Sequence, residues 1–196
     1  MYGLINKALQ AFLVENYGPA LWSRVAHALG VGPEGFEAML RYEDRLTEEL
    51  IDIAARTLDK PRAALLEDVG AFLTTVEPLR RLLRFGGSDY WEFLFSLDEL
   101  QGRGLMALPD LELPELSLRS ESGGRFVIEV RGPIAGWGAV MAGLLRAMAD
   151  DYGALVLIEA VPPCGRLERV QVMLLEAAYA SGRRFDLALP SAEAVA

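Results

Sequence analysis

A chain of 196 residues with 28 acidic and 19 basic side chains carries a formal net charge of −9. That balance works against polyanions, because each phosphate contact needs a lysine or arginine to displace a counterion, so nucleic acid and anionic membrane are poor partners. At 52% hydrophobic and 24% charged residues the sequence is too apolar for disorder and long enough for one sizeable core.

Apolar positions Ile5, Leu9, Phe12 and Leu13 alternate with Asn6, Lys7, Gln10 and Glu15, which predicts a surface helix over Leu4 to Asn16 rather than a signal sequence. A second helix, Pro19 to Leu29, starts on its proline and ends at Gly30. Thr47, followed by Glu48 and Glu49, opens another with Leu50, Ile53 and Ala54 inward, since acids in a first turn complement the helix dipole. The next runs from Pro61 to Asp68 and is loosened by Gly70, and a short piece, Leu79 to Arg84, presents Arg80, Arg81 and Arg84 as a solvated face. Ser88 is expected to cap a helix from Tyr90 to Leu100. There Leu94, Leu97 and Gln101 fall at i, i+3 and i+7 and share one face. An amide at the end of an apolar stripe must find partners or cost about 1–3 kcal/mol, so Gln101 is expected to be buried and bonded to backbone or to an ordered water.

Past Pro109 the period changes. Glu115 to Arg119 and Arg125 to Val130 flank the Ser/Gly turn of a hairpin, Gly136 to Tyr152 is a helix, and Ala154 to Ala160 and Leu167 to Leu175 are strands joined by the Pro-Pro-Cys-Gly turn. The fold class is therefore α+β: a helical lobe followed by an antiparallel sheet of about four strands with a packed helix. One domain is expected over 1–180, helical over residues 1–108 and sheet-containing over residues 109–180, with a loosely held tail over 181–196.

The pattern Phe93-Leu94-x-x-Leu97-Asp98-Glu99-Leu100 resembles the haem nitric-oxide/oxygen-binding (H-NOX) family, as do Met1, Gly3 and Ile5, Asn16-Tyr17-Gly18 and Trp22 near the start, Val69-Gly70, Pro114, and Gly143-Leu144-Leu145-Arg146. The resemblance implies a fold with helices first and an antiparallel sheet with one helix last. It also implies a haem held by a proximal histidine, a Tyr-x-Ser-x-Arg motif for the propionates, and an apolar cavity between the lobes. In this sequence Gln101 stands at the histidine position, and Val130, Gly132 and Ile134 stand at the Tyr, Ser and Arg positions. An alternative register with Ser120 and Ser122 places Gly124 at the arginine position, so the clamp is absent in either. Ile5, Leu9, Leu73, Leu97, Leu100 and Pro114 take the cavity-lining positions, with Trp137 suspected of filling the space.

The implied function is a non-catalytic sensory or regulatory domain, with no cofactor expected unless haem enters through a substitute ligand. His27, Cys164 and Met106 are the conceivable substitutes, although His27 reads as a surface or partly buried residue, Cys164 as a turn residue and Met106 as core. Two other readings stay open: an apolar ligand in the cavity, and an interaction module whose cavity is filled by its own side chains. Partners implied by the family are a histidine kinase or a cyclic-di-GMP enzyme. Nucleophilic catalysis finds no support, because every triad would have to use His27, and the glycine pairs lack the lysine of a phosphate cradle. No metal site is expected. The lone cysteine, Cys164, excludes an internal disulfide and fits a cytoplasmic location, and the longest apolar runs, Ala139 to Leu145 and Ala154 to Ile158, fall well short of the roughly 20 residues that span a bilayer.

Overall fold

The computed structural model describes residues 1–107 and 112–185. The expected boundary at 108/109, and the tail beyond Phe185, lie outside the described residues. Five helices come first: α1 (Gly3–Tyr17), α2 (Pro19–Leu29), α3 (Asp44–Leu58), α4 (Arg62–Leu73) and α5 (Glu77–Arg84). The apolar faces of α1 to α4 meet in one cluster built on Leu9, Phe12, Leu13, Trp22, Leu50 and Leu65, whereas the buried Leu83 of α5 belongs to the second cluster, against the sheet. Helix α3 begins at Asp44, so Thr47 is not its opening residue. Thr47 is fully buried inside the helix, and its hydroxyl donates to Asn6 Oδ1 at 2.7 Å. A buried hydroxyl needs a partner more than the helix end needs a cap.

Next come α6 (Tyr90–Phe95), a 3-10 turn (Ser96–Glu99) and α7 (Leu100–Ala107), where the sequence predicted one continuous helix. Two side chains account for the break. The Ser96 hydroxyl donates back to the Phe93 carbonyl at 2.7 Å, and Asp98 leaves the helical path to accept the Leu118 N–H at 2.6 Å, tying the turn to the sheet. Leu94 and Leu97 stay buried together because a 3-10 turn stacks i over i+3. The cap of α6 is Asp89 rather than Ser88, accepting the Glu92 N–H at 2.8 Å, while Ser88 donates both its N–H and its hydroxyl to the Glu92 carboxylate.

The sheet consists of β1 (Glu115–Ser120), β2 (Arg125–Arg131), β3 (Leu155–Cys164) and β4 (Leu167–Glu176), antiparallel throughout in the order β1-β2-β4-β3. Strand β3 runs through Pro162, so the connection to β4 is Gly165-Arg166 rather than the expected Pro-Pro-Cys-Gly turn. Its position at the sheet edge tolerates proline, which has no N–H for a second ladder. Helix α8 (Trp137–Tyr152) lies on the inner face, packing Met141, Leu145 and Met148 against Phe126, Ile128 and Val170 in a second cluster. Its first turns also give Ala139 and Val140 to the helical cluster, so α8 is a wall shared by both cores. On the outer face, buried Glu129 is met by Arg119, Arg131 and Arg169 at 3.3, 3.4 and 3.3 Å.

Three further expectations are corrected. Gly70 does not loosen α4. A Cβ there would strike the Val140 carbonyl, and one at Gly143 would strike the Glu67 carbonyl, so the two glycines let α4 and α8 cross backbone against backbone. The arginines of α5 are not simply a solvated face: Arg80 and Arg84 are only 15% and 13% exposed and enclose the Asp151 carboxylate at 2.8 and 3.7 Å. Nor is the chain after Ser181 loose from its start, since the Arg183 N–H donates to Asp151, Arg80 donates to the Arg184 carbonyl, and Phe185 packs against both arginines.

Candidate functional site

Between α1, α3, α4 and the start of α8 the packing leaves a cavity of about 160 Å³. Its wall on α1 is Leu4, Ile5, Ala8 and Leu9, neighbours on one helical face; Ile51, Leu66, Val69 and Leu73 come from α3 and α4. Ile134, Trp137 and Val140 close the side toward the sheet, and Leu79 and Leu113 complete the rim. Thr47 also lines it, and with its hydroxyl held by Asn6 the lining is entirely apolar.

The α8 end of the cavity is held by several local devices. Gly136 sits at φ 108°, a left-handed conformation that L side chains avoid, and turns the chain into the helix. The Glu168 carboxylate, reaching over from β4, accepts the Gly136 N–H at 2.8 Å and the Gly138 N–H at 3.0 Å, which satisfies orphan donors and opposes the positive helix end. Trp137 then packs against both cores, with its ring pressed so closely on Gly132 that no side chain fits there. Among the described residues its indole N–H has no acceptor, and the ring is held by packing against both cores.

The positions singled out in the sequence divide between places. Ile5, Leu9, Leu73 and Ile134 line the cavity. Leu97 and Val130 are fully buried in the second core, Leu100 packs against that core, and Pro114 is buried just ahead of β1. Gly132 borders an adjoining hollow of about 630 Å³ that shares Leu66, Ile134, Ala135 and Gly136 with the cavity and whose rim carries Glu48, Arg62, Glu168 and Arg169. Gln101 is half-buried, and its Nε2 donates to the Leu113 carbonyl at 3.4 Å, a long bond to backbone across the α7–β1 connection. Of the conceivable iron ligands, His27 is exposed on α2 and Met106 is 80% exposed on α7, not packed in the core; the Cys164 side chain lies outside the described residues. Leu4, Ala8, Ile51, Val69, Val140 and Leu113 line the cavity without having been foreseen. For Leu4 and Ala8 the signal was present, since both share the α1 face of Ile5.

Two tyrosines of the second core, away from the cavity, have shifted hydroxyls and are structural. Burial pushes the Tyr90 hydroxyl up from its usual range while it donates to the Leu145 carbonyl at 3.1 Å. Burial likewise pushes Tyr152 up to about 12, and its hydroxyl donates to the Gly87 carbonyl at 2.9 Å. Among the described residues no group of three or more His, Cys, Asp or Glu side chains is placed to hold a metal ion, and no helix is long and apolar enough to cross a membrane.

A family profile described as Haem-NO-binding matches residues 2–160. Among curated proteins the chain is 27% identical over 164 residues to a soluble guanylate cyclase of Caenorhabditis elegans, a match covering 81% of this chain and 23% of that one. It is 20% identical over 158 residues to a soluble guanylate cyclase of Drosophila melanogaster, covering 79% and 24%. The chain thus spans about a quarter of the length of the curated relatives it matches. Among solved structures, an H-NOX protein from S. oneidensis in the Fe(II)NO state superposes with a TM-score of 0.76 at 14% identity, covering 90% of this chain and all of that one. An oxygen-binding H-NOX domain related to soluble guanylate cyclases superposes with a TM-score of 0.71 at 15% identity, covering 94% of this chain and all of that one. At such identities the likeness is one of fold, and it matches the order of helices, sheet and α8 described above.

Proposed function

The chain belongs to the haem-NO-binding family, and from that premise we propose that it is a non-catalytic sensory or regulatory module which does not hold haem through a protein imidazole. The observation that carries this reading is the state of Gln101: where the resemblance places a histidine there is a neutral amide, and it is turned to the Leu113 carbonyl. An amide oxygen or nitrogen is a poor substitute for imidazole on iron. The remaining residues do not fit haem either. Val130 is sealed in the second core, Trp137 covers Gly132, and Ile134 offers a propionate neither a hydrogen bond nor a cation. A carboxylate buried without those partners costs several kcal/mol.

The relatives named guanylate cyclases are several times longer than this chain, which supports a role in the control of a separate or attached effector. A cyclase-type enzyme is the effector these relatives favour, with a histidine kinase or a cyclic-di-GMP enzyme as the family's other options. The test is a visible absorption spectrum of protein expressed with excess haem precursor. No Soret band is expected. A stoichiometric band that survives washing overturns the reading.

A further inference from the structure

We propose that the cavity between α1, α4 and α8 is a binding site for one small apolar molecule of about benzene size, an inference that rests on the haem-free reading above. Size argues first. At about 160 Å³ the space lies well below the roughly 300–1,000 Å³ of sites for drug-sized ligands, a class that a tetrapyrrole meets or exceeds. It matches the scale at which an apolar cavity of ~150 Å³ stays dry and takes up benzene or xenon.

Chemistry argues second. The wall presents only carbon: Thr47 has committed its hydroxyl to Asn6, and the indole N–H edge of Trp137 lies against Gly132. A ligand with a hydroxyl, carboxylate or amide would leave that group unpaired, so the site selects against polarity as well as against bulk. Trp137 sets the limit on bulk. Its ring is wedged between Gly132 and the two cores and walls the cavity on that side. Access is by the rim, where Leu4, Ala8, Leu79 and Leu113 are half-buried.

The experiment is thermal unfolding of the full chain against rising benzene, with xenon under pressure as a second probe, for the natural protein and for Ala8→Leu. Ala8 faces the cavity from a half-buried position, so leucine there fills it from the side. A saturable rise in Tm is expected for the natural protein, with apparent affinity at least tenfold weaker in Ala8→Leu. If Ala8→Leu does not fold, Ile134→Phe at the opposite side is to be read in the same way. No saturable rise, or an equal rise in a folded filled variant, overturns the proposal. A parallel haem titration separates the two ideas: stoichiometric haem binding defeats the haem-free reading, whereas failure of haem and benzene alike defeats only the small-ligand site.

Discussion

The two ends of α8 are finished in opposite ways. At its start the helix is entered through a left-handed glycine, tied to β4 by one carboxylate and bordered by an apolar cavity. At its finish Asp151, an acid at the helix end where the dipole disfavours one, is enclosed by Arg80 and Arg84, and the Arg84 guanidinium lies 4.0 Å from the Tyr152 ring centre. Phe185 closes that side. One end is anchored by charge and stacking, and the other is left with room. A single helix is thus held by an ion cluster where the chain returns to it and by a carboxylate on its first N–H groups where it walls a cavity.

The sharpest way to break this contrast is Asp151→Ala. It leaves the mostly buried Arg84 guanidinium without the carboxylate it faces and Arg80 with Glu77 alone at 3.8 Å, and a loss of about 3 kcal/mol is expected by urea unfolding, the lower end of the range for a broken buried pair because Arg80 keeps that second carboxylate and each arginine retains some solvent. At the other end, Glu168→Ala removes the acceptor of two helix N–H groups, and a smaller loss, about 1–2 kcal/mol, is expected in the same assay. If Glu168→Ala proves the more costly change, the start of α8 is the anchored end and the contrast is inverted.

Alkaline titration sharpens the picture further. Because burial raises the folded Tyr152 hydroxyl from 10.0 to about 12, the folded state keeps a proton that the unfolded chain releases. Stability from this group is complete below pH 10 and is lost as pH climbs from there to about 12. Tyr152→Phe should flatten that region of a pH-dependent unfolding curve, relative to the natural protein, while the slope that Tyr90 contributes persists.

The smallest effect is expected at Gln101. Its bond to Leu113 is long and its side chain half-buried, so Gln101→Leu should change stability by less than about 1 kcal/mol. Gln101→His should not create tight haem binding by itself. Adding Val130→Tyr, Gly132→Ser and Ile134→Arg supplies the missing clamp, but it also overfills the core around Val130 and collides with Trp137. Haem titration should therefore show a large gain only when Trp137→Ala accompanies all four changes, and an equal gain from Gln101→His alone would show that the clamp was not the obstacle.

Much of the fold was legible because it depends on local periodicity. The starts of α1 and α2, the hairpin of β1 and β2, and α8 fall within a residue or two of their expected limits. The misreadings concern residues whose partners are distant in sequence. Thr47 looked like a cap, yet its partner is Asn6; Arg80 and Arg84 looked solvated, yet their partner is Asp151. Gly70 reads in sequence as loosening its helix, and only the position of α8 reveals its use. The same limit applies to the site. The apolar face of α1 was readable, but the contributions of Ile51, Val69 and Val140 depend on how α3, α4 and α8 converge. Met106 illustrates the converse, an apolar side chain on a short helix that stays 80% exposed.

The crossing of α4 and α8 has a mechanical consequence. Where Gly70 meets the Val140 carbonyl and Gly143 meets the Glu67 carbonyl, no side chain lies between the two backbones to be compressed or to slide. Contact of this kind fixes the spacing of the two helices, because pressing them closer is resisted by main chain on main chain. The cavity lies on the Trp137 side of that point and the Asp151 clamp on the far side, so the crossing divides α8 into one arm that walls the cavity and another that carries the chain's return.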